Sequence, residues 1–75
     1  MTRVLVVDDE RRIRELLELS LLHHGYEVRC APDGQAALTE AKAWEPDAIV
    51  LDVMLPKIDG ISLLPMLRRV TDAPV

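Results

Sequence analysis

Two short, entirely apolar segments place the strongest constraint on the fold of this 75-residue chain. They read VLVV at residues 4–7 and AIVL at residues 48–51, and an aspartate follows each one directly. Short apolar runs rich in β-branched side chains are typical of parallel strands that are buried on both faces. A charge at the end of such a strand is costly unless something compensates it. The two segments therefore predict a buried sheet with an acidic edge.

Segments with helical periodicity separate these strands. In the first, four apolar residues recur at the spacing of one helix face and are expected to be core: Ile13, Leu16, Leu17 and Leu21. Gly25 is suited to end this helix. An alanine-rich helix is predicted over residues 35–44, and a third helix over residues 62–70. Ser62 is expected to cap the third helix, because Pro65 then falls in the first turn, where proline is tolerated.

Residues 26–31 alternate between apolar and polar side chains, which indicates a half-exposed strand at the edge of a sheet. The order of elements is thus β-α-β-α-β-α. Strands that alternate with helices predict an α/β fold, in which right-handed crossovers connect the strands of a parallel sheet. No repeat or linker divides the sequence, so residues 1–75 are expected to belong to one domain.

Composition excludes several classes of function. The net charge of −4 argues against direct contact with nucleic acid, which needs a basic face. The single cysteine, Cys30, is expected to be a small buried hydrophobe, and it favours a reducing compartment. No apolar run is long enough for a membrane span or a signal peptide. A cytoplasmic protein without membrane contact is therefore expected.

Three carboxylates are expected to converge at one edge of the sheet. Asp8 and Asp9 follow the first strand, and Asp52 follows the third. Sites in parallel α/β sheets form outside the C-terminal ends of the strands, and a hard cation such as Mg2+ would relieve the repulsion between these acids. Each acid alone has a structural interpretation as a cap or turn residue, Asp9 in particular. Because acids follow the ends of both the first and the third strand, a metal site is the favoured interpretation.

The whole series of motifs resembles the receiver domain of two-component response regulators. The segments that carry the resemblance are VLVVDDE, the Gly-Tyr-x-Val strand, the Ala-x-Asp-Gly-x-x-Ala helix start and DAIVLDVMLP-x-x-DG. Together they span essentially all of the chain. The resemblance implies a flavodoxin-like fold with strand order 2-1-3. It is strongest to receivers that are attached to winged-helix DNA-binding domains.

The resemblance also implies roles for individual residues. Asp52 matches the phosphoacceptor, whose carboxylate attacks phosphorus. Asp9 matches the acid that binds Mg2+ directly, Asp8 the acid that acts mainly through a bound water, and Met54 the residue that gives its backbone carbonyl to the metal. The turn after the third strand matches at three residues: Pro56, Asp59 and Gly60. A receiver is a phosphoacceptor rather than an enzyme, although the intact family promotes its own phosphorylation and dephosphorylation.

The implied phosphodonor is the domain of a histidine kinase that carries the phosphorylated histidine. In the family, the first helix and nearby loops form the docking surface for this partner. Arg11, Arg12 and Arg14 are therefore assigned a partner role, although such a cluster is usually only a solvated helix face.

The chain departs from the family in one large respect. Receiver domains generally continue for two more strands and helices, which carry a Ser or Thr and a Lys that contact the phosphoryl group. Lys42 and Lys57 are the only lysines here, and neither matches that position. The chain is thus expected to be the N-terminal portion of a receiver domain, with impaired phosphorylation. Its third strand would offer an open edge, so self-association through that edge and exposed helix faces is expected.

Other classes of protein remain as alternatives. The chain could be a half-fold that acts only as a structural self-association module, and a titration with Mg2+ would separate this from a receiver. A phosphatase of the haloacid dehalogenase type needs a second aspartate where Met54 stands. An EF-hand loop would need oxygen ligands at Met54 and Pro56. The adjacent His23 and His24 point in different directions on a helix and are expected to be surface residues.

Overall fold

Three parallel strands form the centre of the fold in this computed structural model, which describes residues 2–51 and 60–75. They are β1 (Arg3–Val7), β2 (Glu27–Ala31) and β3 (Ala48–Leu51), hydrogen-bonded in the order β2-β1-β3. Three helices alternate with them in the described residues: α1 (Arg11–His23), α2 (Gly34–Trp44) and α3 (Gly60–Val70). The predicted order of elements, the parallel sheet and the strand order 2-1-3 are confirmed.

The C-terminal ends of the three strands are level with one another. Val7, the last residue of β1, pairs with Ala31 on one side and with Leu51 on the other. These two partners are in turn the last residues of β2 and β3. The backbone N–H of Asp8, which follows β1, donates to the carbonyl oxygen of Ala31 at 3.2 Å. The strand ends therefore form one edge, the place where sites assemble in parallel α/β folds.

The main core lies on the face of the sheet that α2 and α3 cover. Its buried members come from all three strands, both helices and the C-terminal segment: Leu5, Val7, Ala31, Ala37, Ala41, Ile49, Leu63, Leu67 and Ala73. Ala37 and Ala41 lie one turn apart on α2, where their small side chains let the helix approach the sheet closely. Strand alternation turns Val4 and Val6 to the opposite face, and both are buried there.

Helix α1 covers that opposite face only in part, so the prediction that its apolar stripe is core is only partly right. The helix packs on β2 and β1, and none of its residues is fully buried. Leu17 and Leu21 are half-buried, but Leu16 is 64% exposed and Ile13 is 37% exposed. Val50, which alternation places on the same face of β3, is 41% exposed. An apolar surface therefore remains open beside α1.

Helix α3 begins two residues earlier than predicted. It starts at Gly60 rather than after a cap at Ser62, so Pro65 is an interior residue of the helix. Proline lacks an N–H and cannot bond the carbonyl four residues before it, a loss that costs about 3 kcal/mol in a helix interior. The helix persists because Leu63 and Leu67, four residues apart, are both fully buried in the core.

The ends of α2 follow their local sequence closely. Asp33 caps the N-terminus, where its side chain accepts a hydrogen bond from the backbone N–H of Ala36 at 2.9 Å. At the C-terminus Glu45 adopts the left-handed conformation with φ of 52°, which non-glycine residues rarely do. Its N–H donates to the carbonyl of Ala41, and Pro46 follows. The helix predicted over residues 35–44 is thus observed with one added residue.

Trp44 lies at the end of the sheet opposite the level strand ends. Its ring centroid is 5.7 Å from the guanidinium carbon of Arg3 and 5.0 Å from that of Arg29. Nη1 of Arg3 also donates to the carbonyl oxygen of Trp44 at 2.7 Å. The same arginines pair with Glu27 and Glu40, at 3.4 and 3.0 Å respectively. These contacts attach the C-terminus of α2 to β1 and β2.

The C-terminal segment after α3 runs beside the outer edge of β3. The backbone N–H of Ile49 donates to the carbonyl oxygen of Pro74 at 2.8 Å. The guanidinium of Arg68 donates to the carbonyl of Ala73, whose side chain is buried. Part of the β3 edge is thus occupied by the chain itself. No helix in the described ranges is long and apolar enough to span a bilayer.

Candidate functional site

The link between β1 and α1 fixes the position of Asp8. Its Oδ1 accepts a hydrogen bond from the backbone N–H of Glu10 at 2.9 Å, in the manner of an Asx turn. Glu10 is the residue that precedes the first turn of α1. Asp8 is half-buried, whereas Asp9 is exposed. The acid pair therefore lies at the level strand ends. The side chain of Asp8 helps to fix the backbone that carries both acids.

Arg14 contributes a contact to this link that sequence reasoning missed. Its Nη1 donates to the backbone carbonyl oxygen of Asp8 at 2.8 Å. Arg14 is half-buried on the face of α1 that carries Leu17, so it is less exposed than a purely solvated helix face would imply, and its role toward a partner stays a prediction. No spacing rule connects a strand-end carbonyl to a side chain six residues later, because the contact depends on how α1 turns back over the sheet.

The third predicted acid follows β3. Leu51, the residue before it, is the register partner of Val7, and neighbouring strands lie about 4.8 Å apart. Asp52 itself lies outside the described residues, as do Met54, Pro56 and Asp59. Gly60 is the first residue of α3.

The donor chemistry of the described edge suits a hard cation. Asp8 and Asp9 offer carboxylate oxygens, the ligands that Mg2+ prefers, and no soft sulfur or imidazole ligand belongs to the predicted set. Within residues 2–51 and 60–75, no three acidic, histidine or cysteine side chains gather closely enough to hold a metal ion. The two acids would thus need a further ligand from the segment after Leu51.

The remaining candidate residues occupy other places. His23 and His24 are both exposed at the end of α1, as predicted, with ring centroids 5.7 Å apart and Nδ1 of His24 2.8 Å from the carbonyl oxygen of Ser20. Cys30 is half-buried rather than buried, and its Sγ lies 4.0 Å from Oε2 of Glu18. Burial raises the pKa of the Cys30 thiol, and the negative charge of Glu18 raises it further.

A small cavity lies between α1 and β2 beside this cysteine. Its volume is about 170 Å3, and its lining combines two arginines, two glutamates and the thiol: Arg11, Arg14, Glu15, Glu18 and Cys30. Arg11 is paired with Glu15 at 3.0 Å, so the charges within the lining largely compensate each other. The lining therefore has no excess of positive or negative charge that would favour the binding of an anion or a cation.

Comparison with known proteins defines the class of this chain. Residues 4–75 match the family model of the response regulator receiver domain, and the chain belongs to that family. One relative is the alkaline phosphatase synthesis transcriptional regulatory protein PhoP of Bacillus subtilis. The two are 52% identical over 67 residues, which are 89% of this chain and 28% of PhoP.

Solved structures agree with this assignment. The response regulator protein TrrA of Thermotoga maritima, in complex with Mg2+-BeF, superimposes with a TM-score of 0.87 at 40% identity, over 92% of this chain and 60% of that one. TrrA in complex with the histidine kinase ThkA gives a TM-score of 0.89 at 40% identity, over 97% of this chain and 64% of that one. The chain thus spans less than two thirds of these relatives, and about 28% of PhoP.

Proposed function

We propose that this chain is the phosphoacceptor part of a two-component receiver domain, in which Asp52 takes a phosphoryl group from a histidine kinase. The observation that carries the proposal is the pairing of Val7 with Leu51, because the acids follow these two residues in the sequence. The complex of TrrA with ThkA supports a histidine kinase as partner. In the transfer, an Asp52 carboxylate oxygen forms a bond to phosphorus. The bond from phosphorus to the histidine nitrogen breaks, and its electron pair stays on nitrogen.

The residues proposed to hold Mg2+ are Asp8, Asp9, Asp52 and the backbone carbonyl of Met54. The Mg2+-BeF complex of TrrA supports Mg2+ as the ion that such a site would take. When bound, Mg2+ supplies positive charge beside the phosphoryl oxygens, which is the main requirement of phosphoryl transfer. The contribution of the protein is to hold the carboxylates in place, and the Asx turn at Asp8 is one means by which it does so.

A titration with Mg2+ tests this proposal. We expect wild-type protein to bind Mg2+, and Asp9→Asn and Asp52→Asn each to lose most of the affinity, as measured by isothermal titration calorimetry. Asp72→Asn is the matched control, because it removes the same charge from an exposed position after α3. Equal binding by all four proteins would show that the acids at the strand ends are not the ligands.

Phosphorylation of the 75 residues alone is proposed to be slow. Lys42 and Lys57 are the only lysines, and neither stands where the family provides a counter-charge for the phosphoryl group. We expect acetyl phosphate to label Asp52 more slowly than it labels TrrA under the same conditions. Labelling at an equal rate would show that this chain does not need the missing lysine.

The second candidate function is self-association as a structural module. It is favoured by the exposed apolar side chains of Ile13 and Leu16 on α1 and of Val50 on β3. Association through these surfaces is compatible with the phosphoacceptor role. A module without signalling output would assemble but bind no Mg2+ through Asp9 or Asp52, so the titration separates the two functions.

The wider role of the parent protein is also a proposal. PhoP is named as a transcriptional regulatory protein, and this chain spans 28% of it. We infer that residues 1–75 form the N-terminal portion of a receiver in a cytoplasmic transcriptional regulator whose winged-helix domain contacts DNA. The net charge of −4 supports the assignment of the DNA contact to another part of the protein.

A further inference from the structure

We propose that Arg14 is a positioning residue for the metal site, acting through its hydrogen bond to the carbonyl oxygen of Asp8. The proposal rests on the proposed function, because it concerns the acids that would hold Mg2+. It assigns Arg14 to the acidic site itself rather than to a surface for the kinase.

The contact joins α1 to the end of β1 across the connecting residues. Nη1 of Arg14 lies 2.8 Å from the carbonyl oxygen of Asp8, and the side chain is half-buried. A hydrogen bond from a charged donor is stronger than one between neutral groups. Because the guanidinium is planar and rigid, its direction of donation is well defined. The position of the Asp8 carbonyl is thus coupled to the packing of α1.

Holding this carbonyl also orients Asp9. The peptide unit between Asp8 and Asp9 is planar and trans, so the direction of the Asp8 carbonyl sets that of the Asp9 N–H. The two other polar groups of Asp8 are also engaged. Its N–H donates to Ala31, and its Oδ1 accepts from Glu10. Arg14 therefore completes a set of three restraints on the residue that precedes the exposed carboxylate of Asp9.

The sign of the expected effect separates positioning from simple electrostatics. Removing a positive charge near a cation site would by itself strengthen the binding of Mg2+, because one repulsion disappears. Losing a group that orients the ligands has the opposite effect, and the loss of such outer partners typically weakens metal binding by 10- to 100-fold. Weaker binding in an Arg14 variant can therefore not be attributed to the lost charge.

The experiment compares wild-type protein with Arg14→Gln, Arg14→Lys and Arg11→Gln. Arg11 is the matched control, because it lines the same cavity on the same helix but is paired with Glu15. We expect Arg14→Gln to bind Mg2+ about tenfold more weakly, Arg14→Lys to recover part of the affinity, and Arg11→Gln to stay within about twofold of wild type. Calorimetry gives the affinities.

A second measurement needs no metal. In the 15N-resolved NMR spectrum of the metal-free protein, Arg14→Gln is expected to shift the Asp9 amide resonance more than Arg11→Gln does. Thermal unfolding followed by circular dichroism identifies any loss of fold, and Arg14→Lys serves if Arg14→Gln does not fold. If wild type and Arg14→Gln bind Mg2+ equally and the Asp9 resonance does not move, the positioning role is overturned but the proposed function is not. Absence of Mg2+ binding by wild-type protein would overturn the proposed function and this inference with it.

Discussion

Cys30 shows how one residue takes its chemistry from both neighbouring elements. It lies on β2, but the groups that act on its thiol come from α1. Burial raises the thiol pKa most, the carboxylate of Glu18 raises it further, and the guanidinium of Arg14 lowers it. Alkylation requires the thiolate, so a raised pKa means a smaller reactive fraction at any pH below it.

We therefore predict that Cys30 reacts slowly with iodoacetamide at pH 7.5, compared with free cysteine. Glu18→Gln removes a charge that raises the pKa, so it should speed the reaction, whereas unfolding in urea should speed it most. The rate is measured by mass spectrometry. A folded protein that reacts as fast as free cysteine would show that neither burial nor Glu18 protects the thiol.

The acids and the arginine at the strand ends differ in how far sequence reveals them. Asp8, Asp9 and Asp52 could be predicted as site candidates because they lie within two residues of a strand end, and strand ends can be read from apolar runs. Leu51 and Val7 do pair, as that prediction requires. The role of Arg14 could not be predicted, because its partner is a backbone carbonyl that comes within reach only through the packing of α1.

At the scale of elements, the helix ends show where local chemistry decides the structure and where packing overrides it. Asp33 precedes α2 and Pro46 follows it, and both are residue types that local chemistry favours at helix ends, although the sequence analysis placed the helix start one residue late. The start of α3 was predicted late as well, because Pro65 argued for a late start. The burial of Leu63 and Leu67 outweighs that local preference. Tertiary packing of this kind has no local sequence signal.

The left-handed residue at the end of α2 leads to a stability prediction. Glu45 has a φ of 52°, and glycine adopts this conformation without the steric cost of a side chain. We expect Glu45→Gly to stabilise the fold by about 0.5–1 kcal/mol. Urea unfolding measures the change. Glu40→Gly in the middle of the same helix is the control and should destabilise the protein, since glycine is unfavourable there and the ion pair with Arg29 is lost as well.

Pro65 provides a second test at this scale. Replacing it with alanine restores an N–H that can bond the carbonyl of Ile61 and removes a steric clash in the interior of α3. We predict that Pro65→Ala raises the free energy of unfolding by about 1–2 kcal/mol, part of the roughly 3 kcal/mol helix penalty being offset by the greater freedom of the unfolded chain. A lower midpoint in urea would mean that the proline stabilises α3 in its present form.

At the scale of the whole molecule, the two faces of the sheet are covered unequally. The face beneath α2 and α3 contains the main core, whereas on the other face Ile13 and Leu16 of α1 and Val50 of β3 stay exposed. The sequence predicted exposed surfaces there, but it overestimated the burial of α1 because periodicity shows which residues share a face and not how much of the face is covered. The edge of β3 is also less open than expected, because Pro74 accepts a hydrogen bond from Ile49.

We predict that the open apolar surface drives self-association. Leu16→Glu should lower the apparent mass in sedimentation equilibrium at micromolar concentrations, because it places a charge in the surface that would be buried. Leu22→Glu is the control. Leu22 is also exposed, at 51%, but it points about 120° away from Leu16 around the helix. A wild-type protein that sediments as a folded monomer would contradict the prediction.

The contacts of Trp44 have a practical consequence. The indole is held by Arg3 at the first residue of β1, whereas the acids follow the last residue of that strand, roughly 16 Å away at about 3.3 Å per residue. Because the chain has one tryptophan, tryptophan emission arises only from the end of the sheet opposite the acids. Fluorescence can therefore report the integrity of the scaffold while ion-dependent changes at the acids are followed separately, in a single sample.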